Sequence, residues 1–143
     1  MILDKDCVRD TLLYIEQHCV YYDDKRLGRR LHEVSIKELS ESDELSTYDY
    51  DTIHYTLEKL FEGNYIQGYF IPNNAPHTFK IAYVEALSLT GHTLLDNIKP
   101  QSIWDKTKEK MQKIGSFSLD IMSQIAGEAM AAHIYKSCIW LII

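Results

Sequence analysis

The sequence predicts an α+β protein that is mostly helical: a winged helix-turn-helix with a small antiparallel sheet, followed by a C-terminal helical extension. Residues 48–63 carry apolar side chains at helical spacing, and two strand-like runs, 64–71 and 78–83, follow this helix directly. A capped segment beginning at Ser35 precedes it. A helix, a short strand, two helices and a hairpin, in this order, are typical of a winged helix, a variant of the helix-turn-helix.

The length and composition favour one domain with an appendage. The chain has 143 residues, of which 45% are hydrophobic, which is enough for one ordinary core. We expect residues 1–98 to form the winged helix. Residues 99–143 then form a two-helix extension that mediates oligomerisation.

Charge and cysteine content restrict the possible partners and the compartment. The net charge of -6 disfavours bulk attraction to nucleic acid or anionic lipid, and a local basic patch acts only over about 10 Å. The N-terminus has no basic and apolar signal segment, and the three cysteines (Cys7, Cys19 and Cys138) form no Cys-x-x-Cys pair. These features predict a cytoplasmic protein without a zinc or redox site.

The first helix is expected to begin after Asp4 and to run to about Cys19, with its apolar stripe facing the core. A cluster of basic residues surrounds the glycine that follows. Its members, which are possible phosphate contacts, are Lys25, Arg26, Arg29 and Arg30. A short charge run of this kind is also typical of a solvated turn, so both interpretations stay open.

Residues 31–35 predict a small first strand, and Ser35 caps a short helix whose Ile36 and Leu39 face inward. The central helix has Ser46 and Asp49 as cap candidates, and Gly63 is expected to end it in a left-handed conformation.

The outer face of the central helix is acidic. At about 100° per residue, the positions opposite its apolar stripe are Asp51, Tyr55, Glu58, Lys59 and Glu62. Three acids and one lysine held against a polyanion cost Coulomb energy and release no counterions, so reading of a DNA groove by this helix is disfavoured. A tyrosine among these charges is typical of a protein-contact surface, and equally of a half-exposed position that the ring covers, so both interpretations stay open.

Ser88 is the expected cap of the next helix, which Pro100 ends. Gly91 near its start indicates a close approach of another backbone.

The run from Leu87 to Trp104, Leu-Ser-x-x-Gly-His-x-Leu-Leu-Asp-x-Ile-x-x-x-x-x-Trp, resembles the bacterial and prophage family Domain of Unknown Function 2513. Lys106-Thr-Lys-Glu-Lys, Gly115-x-x-Ser-Leu-Asp, the opening Val8-Arg-Asp-x-Leu-Leu-Tyr-Ile-Glu and Ile53-His-Tyr-x-Leu-x-x-Leu are similar to the same family. The sequence departs from the pattern at Leu89 and Thr90 and in its apolar last six residues. The resemblance implies a small intracellular protein, often carried by phages or mobile elements, with no established activity.

The C-terminal region predicts one helix capped by Ser102 and a last helix from Ser118 to about Lys136 that is apolar over most of its circumference. A monomer rarely leaves so large an apolar surface uncovered, so this helix is the expected oligomer interface. The interface residues predicted here are Leu119, Met122, Ala126, Met130, Trp140, Leu141 and Ile142. Burial against the winged helix itself is the competing explanation.

A membrane span over residues 125–143 is disfavoured, because Glu128, His133 and Lys136 interrupt it and each charged group costs about 2.5 to 3.5 kcal/mol near the bilayer centre.

Motifs for chemistry are absent from the sequence: it has no glycine-rich phosphate loop, no His-Glu-x-x-His and no nucleophile elbow. We therefore expect no catalytic residues, no metal and no cofactor. The first interpretation is a non-enzymatic winged-helix protein, an accessory factor of a phage or mobile element that acts as a homo-oligomer through protein-protein contacts. The alternative is a DNA-binding transcriptional regulator that uses the winged helix and the Lys25 to Arg30 loop, although we expect its nucleic-acid binding to be weak.

Overall fold

The computed structural model describes residues 1–71, 81–115 and 117–142, except for the side chains of residues 81 and 140–142. This part of the chain contains six helices and five strands. The helices are α1 (Lys5–His18), α2 (Ile36–Glu41), α3 (Tyr50–Glu62), α4 (Leu89–Ile98), α5 (Gln101–Ile114) and α6 (Leu119–Ile142). The strands are β1 (Tyr21–Asp24), β2 (Gly28–Leu31), β3 (Val34–Ser35), β4 (Ile66–Ile71) and β5 (Ile81–Leu87). The predicted mostly helical α+β class with small antiparallel sheets is confirmed.

The strands form two separate antiparallel sheets. One has the order β3-β5-β4, with Val34 opposite Val84 and Ile66 opposite Leu87. The other is the hairpin of β1 and β2. The hairpin predicted after the central helix is present where described, and its predicted turn and the start of its second strand, residues 72–80, lie outside the described residues.

The first two helices begin where their caps predict. An Asp4 carboxylate oxygen accepts a hydrogen bond from the Cys7 amide at 3.0 Å, and the Ser35 hydroxyl accepts one from the Glu38 amide at 3.1 Å. Their apolar stripes are buried, which includes Ile36 and Leu39 of α2.

The central helix α3 begins at its predicted cap but ends differently. Asp49 accepts from the Thr52 amide at 2.7 Å. Gly63 was expected to be left-handed, and this expectation is wrong, because its φ is -83° and the left-handed residue is Asn64, with a φ of 61°. Gly63 instead provides room, since a Cβ atom there would lie 2.6 Å from the ring of Tyr65.

The close approach predicted at Gly91 is confirmed. A Cβ atom at this position of α4 would overlap the carbonyl oxygen of Tyr65. The Ser88 hydroxyl accepts from the Gly91 amide at 3.0 Å, as its capping role predicts.

The start of α5 differs from the prediction. Ser102 was expected to cap this helix, but Pro100 is the N-cap residue and makes no side-chain cap, so Ser102 lies inside the first turn. Gln101 donates to Asp105 across that turn at 2.9 Å. The helix ends at Gly115, whose φ of 77° is the left-handed conformation that glycine adopts without strain.

The C-terminal helices pack on the rest of the chain. The Trp104 indole nitrogen donates to Asp6 at 3.2 Å, and the Arg9 guanidinium donates to the Ile98 carbonyl at 2.9 Å. Trp104 and Met111 belong to the same apolar core as α1, α3 and α4.

The last helix corrects part of the predicted oligomer interface. Leu119, Met122 and Ala126 are buried in the core of the single chain, so they are not available to a second copy. α4 and α5 offer this helix more apolar surface than the sequence indicates. It also placed the end of the helix near Lys136, whereas α6 continues to Ile142.

Replacing Gly91 with alanine should destabilise the fold by about 1 to 3 kcal/mol, because the added methyl group displaces the Tyr65 backbone. Gly127, inside α6, is the matched control: a Cβ atom there would lie 3.9 Å from its nearest neighbour, the Asn97 side chain. Gly127→Ala should stabilise the protein by about 0.5 to 1 kcal/mol through helix propensity. Urea denaturation measures both changes. Equal stability of Gly91→Ala and the parent would refute the packing at this junction.

Candidate functional site

The outward face of α3 carries the five residues of the predicted protein-contact face, namely Asp51, Tyr55, Glu58, Lys59 and Glu62. The three acids are exposed, and the tyrosine and the lysine are half-buried. The opposite side of the helix fills the core through Ile53, Leu57 and Leu60, as the helical spacing predicts. The five residues therefore share one surface, and contact of this surface with a partner stays a prediction.

The charges on this face are partly engaged with one another. The Lys59 ammonium lies 2.9 Å from a Glu62 carboxylate oxygen and 5.4 Å from the centre of the Tyr55 ring. The hydrogen bond to Glu62 raises the pKa of Lys59. The His54 ring nitrogen Nδ1 lies 3.3 Å from Glu58. Since Glu62 engages the lysine of this face, the remaining acids keep its potential negative.

A groove of about 730 Å³ opens beside the C-terminal half of α3. Tyr55 and Glu62 line one side, Leu3 of the N-terminal segment lines another, and Phe117 and Asp120 close it at the start of α6. The groove is not predicted by the sequence, because its walls come from three distant parts of the chain. The contact face of α3 therefore continues into a concave surface.

Two contacts hold the wall of the groove at the start of α6. The Lys5 ammonium lies 4.3 Å from the centre of the Phe117 ring, which is a cation-π distance. The Ser118 hydroxyl accepts from the Ile121 amide at 3.3 Å and so caps the helix.

Tyr65, a further lining residue, joins the groove to the core. It is 3% exposed, and its backbone amide donates to the Leu60 carbonyl at 2.9 Å. Asp120 and Ser123 lie near its hydroxyl. Burial, and then the negative charge of Asp120, raise the pKa of Tyr65, so the phenol stays neutral and able to donate.

The lining of this groove combines apolar and charged side chains. Among the described residues that line it are apolar side chains, two tyrosines, two carboxylates and one lysine, and neither histidine nor cysteine occurs there. An apolar floor with a few charged groups at its edge can hold an apolar side chain and orient the polar groups next to it.

The basic cluster lies elsewhere, on the hairpin of β1 and β2. All four of its residues are exposed, and only one of them has an ion-pair partner among the described residues: Arg29, which lies 3.1 Å from Asp23. The sequence analysis described this segment as a loop or solvated turn, whereas the structure extends it into two paired strands.

The end of α6 is exposed through residues 131–139. Ile134 is 54% exposed and Tyr135 is 68% exposed. Met130, predicted at the oligomer interface, is half-buried, and the side chains of Trp140, Leu141 and Ile142 lie outside the described residues.

The described residues offer neither a membrane span nor a metal site. No described helix is long and apolar enough to cross a membrane. Within the same ranges, no group of three or more histidine, cysteine, aspartate or glutamate side chains is placed to hold a metal ion.

Comparison with known proteins places the chain in a family. No curated protein and no solved structure matches it significantly. The model of the family described as "Hypothetical protein (DUF2513)" matches residues 2–118, which include α1 to α5 and both sheets, whereas α6 begins just beyond them. The chain belongs to the DUF2513 family.

Proposed function

We propose that the protein is a non-enzymatic, cytoplasmic protein-binding module with a winged-helix arrangement, which serves as an accessory factor of a phage or mobile element. The order α1, β3, α2, α3, β4, β5 supports the winged helix, since each element has a counterpart there. The sheet order β3-β5-β4, in which the last strand lies between the other two, supports it as well. In this arrangement α2 and α3 are the helix pair, and β4 and β5 form the wing.

The observation that carries the proposal is the continuity of the α3 contact face with the groove. Tyr55 and Glu62 belong to both surfaces, so a partner that covers the helix also reaches the cavity. Tyrosine, with an apolar ring and a polar tip, is enriched at protein interfaces.

Charge favours a protein over DNA at this face. In a DNA reader of this type, the outer side of the second helix of the pair enters the major groove. On α3 that side exposes Asp51, Glu58 and Glu62, which phosphates repel. A complementary partner places an apolar side chain in the groove and lysine or arginine against the acids, which speeds and orients its docking.

A photo-crosslinking side chain at Tyr55 should capture this partner. We expect p-benzoylphenylalanine at Tyr55 of the full-length protein to give a discrete crosslinked species in the native host cells, since this position lies where face and groove meet. The same probe at Lys106, exposed on α5, should give none. Mass spectrometry of the crosslinked species identifies the partner.

A charge reversal provides the control for this capture. Glu58→Lys with Glu62→Lys should remove the crosslinked species, because it repels a basic partner. Glu41→Lys with Asp43→Lys, an equal change at exposed positions at the end of α2, should leave it. A species that survives the α3 variant, or no species at all, would contradict the proposal.

We also propose that a second copy covers the exposed end of α6. The nine residues 131–139 are all exposed in the single chain, and a helical segment of this length is marginal in water without tertiary packing. Ile134, Tyr135 and Ile139 supply apolar surface to such a contact. This proposal replaces the interface predicted at Leu119, Met122 and Ala126.

Light scattering at high protein concentration tests the assembly. The parent should show at least twice the 16.7 kDa of one chain. Tyr135→Glu with Ile139→Glu should give the mass of a single chain, because two charges then lie on the apolar side. His133→Glu with Ser137→Glu, four residues apart on the opposite side of the helix, should leave the assembly intact. A parent with the mass of one chain would exclude the contact.

A further inference from the structure

The hairpin of β1 and β2 is a ribbon that stands apart from the other sheet. Its strands pair only with each other, and residues 21–31 are exposed except for Asp24 and Leu31, which are half-buried. Its base is anchored: the His32 amide donates to the Val20 carbonyl at 2.9 Å, and the His32 ring lies 2.8 Å from Glu38 of α2. The ribbon thus contacts α2 at its base, and none of residues 21–31 belongs to the described core.

The two acids of the ribbon are already engaged. A carboxylate oxygen of Asp24 accepts from the amides of Arg26 and Leu27 at 2.8 and 3.1 Å, which shapes the turn. These bonds lower the pKa of Asp24. Asp23 pairs with Arg29, which faces it across the strands. The contacts of both acids lie within the hairpin, and four basic residues against two acids leave it a net charge of +2.

Three cations and two aromatic rings remain for a ligand. Lys25, Arg26 and Arg30 have no ion-pair partner among the residues that the structure describes. Tyr21 is 66% exposed and Tyr22 is 41% exposed. Tyr22 lies directly opposite Arg30, so ring and guanidinium occupy the same face of the ribbon.

We propose that this ribbon binds single-stranded nucleic acid, with a base stacked on Tyr22 and phosphates held by Arg30 and the turn cations. Stacking rings beside cations are the usual means of binding single strands without sequence readout. This site is separate from the α3 contact face and independent of the protein partner proposed above.

A single strand fits the ribbon better than a duplex. In a duplex the bases are stacked on each other, so Tyr22 has no free base face to contact, whereas a single strand offers one at every nucleotide. With only three free cations, binding should be weak at physiological salt and measurable at low salt.

Fluorescence anisotropy with a labelled oligothymidine tests this site in the full-length protein. Arg26→Glu with Arg30→Glu should weaken binding at low salt by about tenfold or more and flatten its salt dependence. Lys106→Glu with Lys110→Glu on α5, an equal change at exposed positions, should have little effect. Circular dichroism confirms that both variants fold.

Variants at Tyr22 distinguish base stacking from general attraction to polyanions. Tyr22→Ala should weaken oligothymidine binding by about tenfold and leave heparin binding unchanged, while Tyr22→Phe retains both. Tyr50→Ala, at an exposed tyrosine at the start of α3, is the control for ring loss.

Four results would overturn the proposal: no oligothymidine binding at low salt, equal loss in the α5 control, duplex or heparin binding as tight as that of the single strand, or indifference to Tyr22→Ala. Self-association that is lost in Arg26→Glu with Arg30→Glu, without oligonucleotide binding, would assign the ribbon to the acidic face of another copy instead.

Discussion

The close packing around Tyr65 is the constraint on which the arrangement of this protein depends. Its amide continues the hydrogen bonding of α3, and its carbonyl accepts from the Ser88 amide at 3.0 Å at the start of α4. Its ring lies over Gly63, and Gly91 gives its carbonyl room. One residue thus fixes the angle between the central helix, the β4–β5 hairpin and the fourth helix, while its hydroxyl reaches the start of α6.

This junction explains why the α3 face and the groove form one surface. The end of α3 cannot move away from the start of α6 without disturbing the buried ring of Tyr65, so Glu62 and Asp120 are held on opposite sides of a preformed cavity. A preformed, rigid surface loses little conformational entropy on binding. The basic ribbon lies outside this junction and is anchored separately at His32, which allows two ligands of opposite charge to occupy the same chain.

Much of the fold follows from local sequence signals, and the candidate site follows from them only in part. Asp4, Ser35, Asp49 and Ser88 cap the helices predicted from them, because a cap and an amide three residues later are set by local geometry. The α3 face follows from helical periodicity for the same reason.

The groove could not be predicted, since residues 3, 55 and 117 meet only after folding. The strands β1 and β2 were missed because a basic, exposed ribbon lacks the apolar alternation that marks a half-buried strand. The burial of Met122 depends on the area that α4 and α5 leave open, which no local pattern records.

The most direct test of the central claim is a selection of random peptides on the purified full-length protein. The account predicts enriched peptides that combine lysine or arginine with an aromatic or large aliphatic residue. Their affinity should fall by about tenfold in Tyr55→Ala, which removes a wall of the groove, and stay unchanged in Tyr69→Ala, at an exposed tyrosine of β4 outside the groove. Enrichment of acidic peptides, or equal affinity for the parent and Tyr55→Ala, would contradict it.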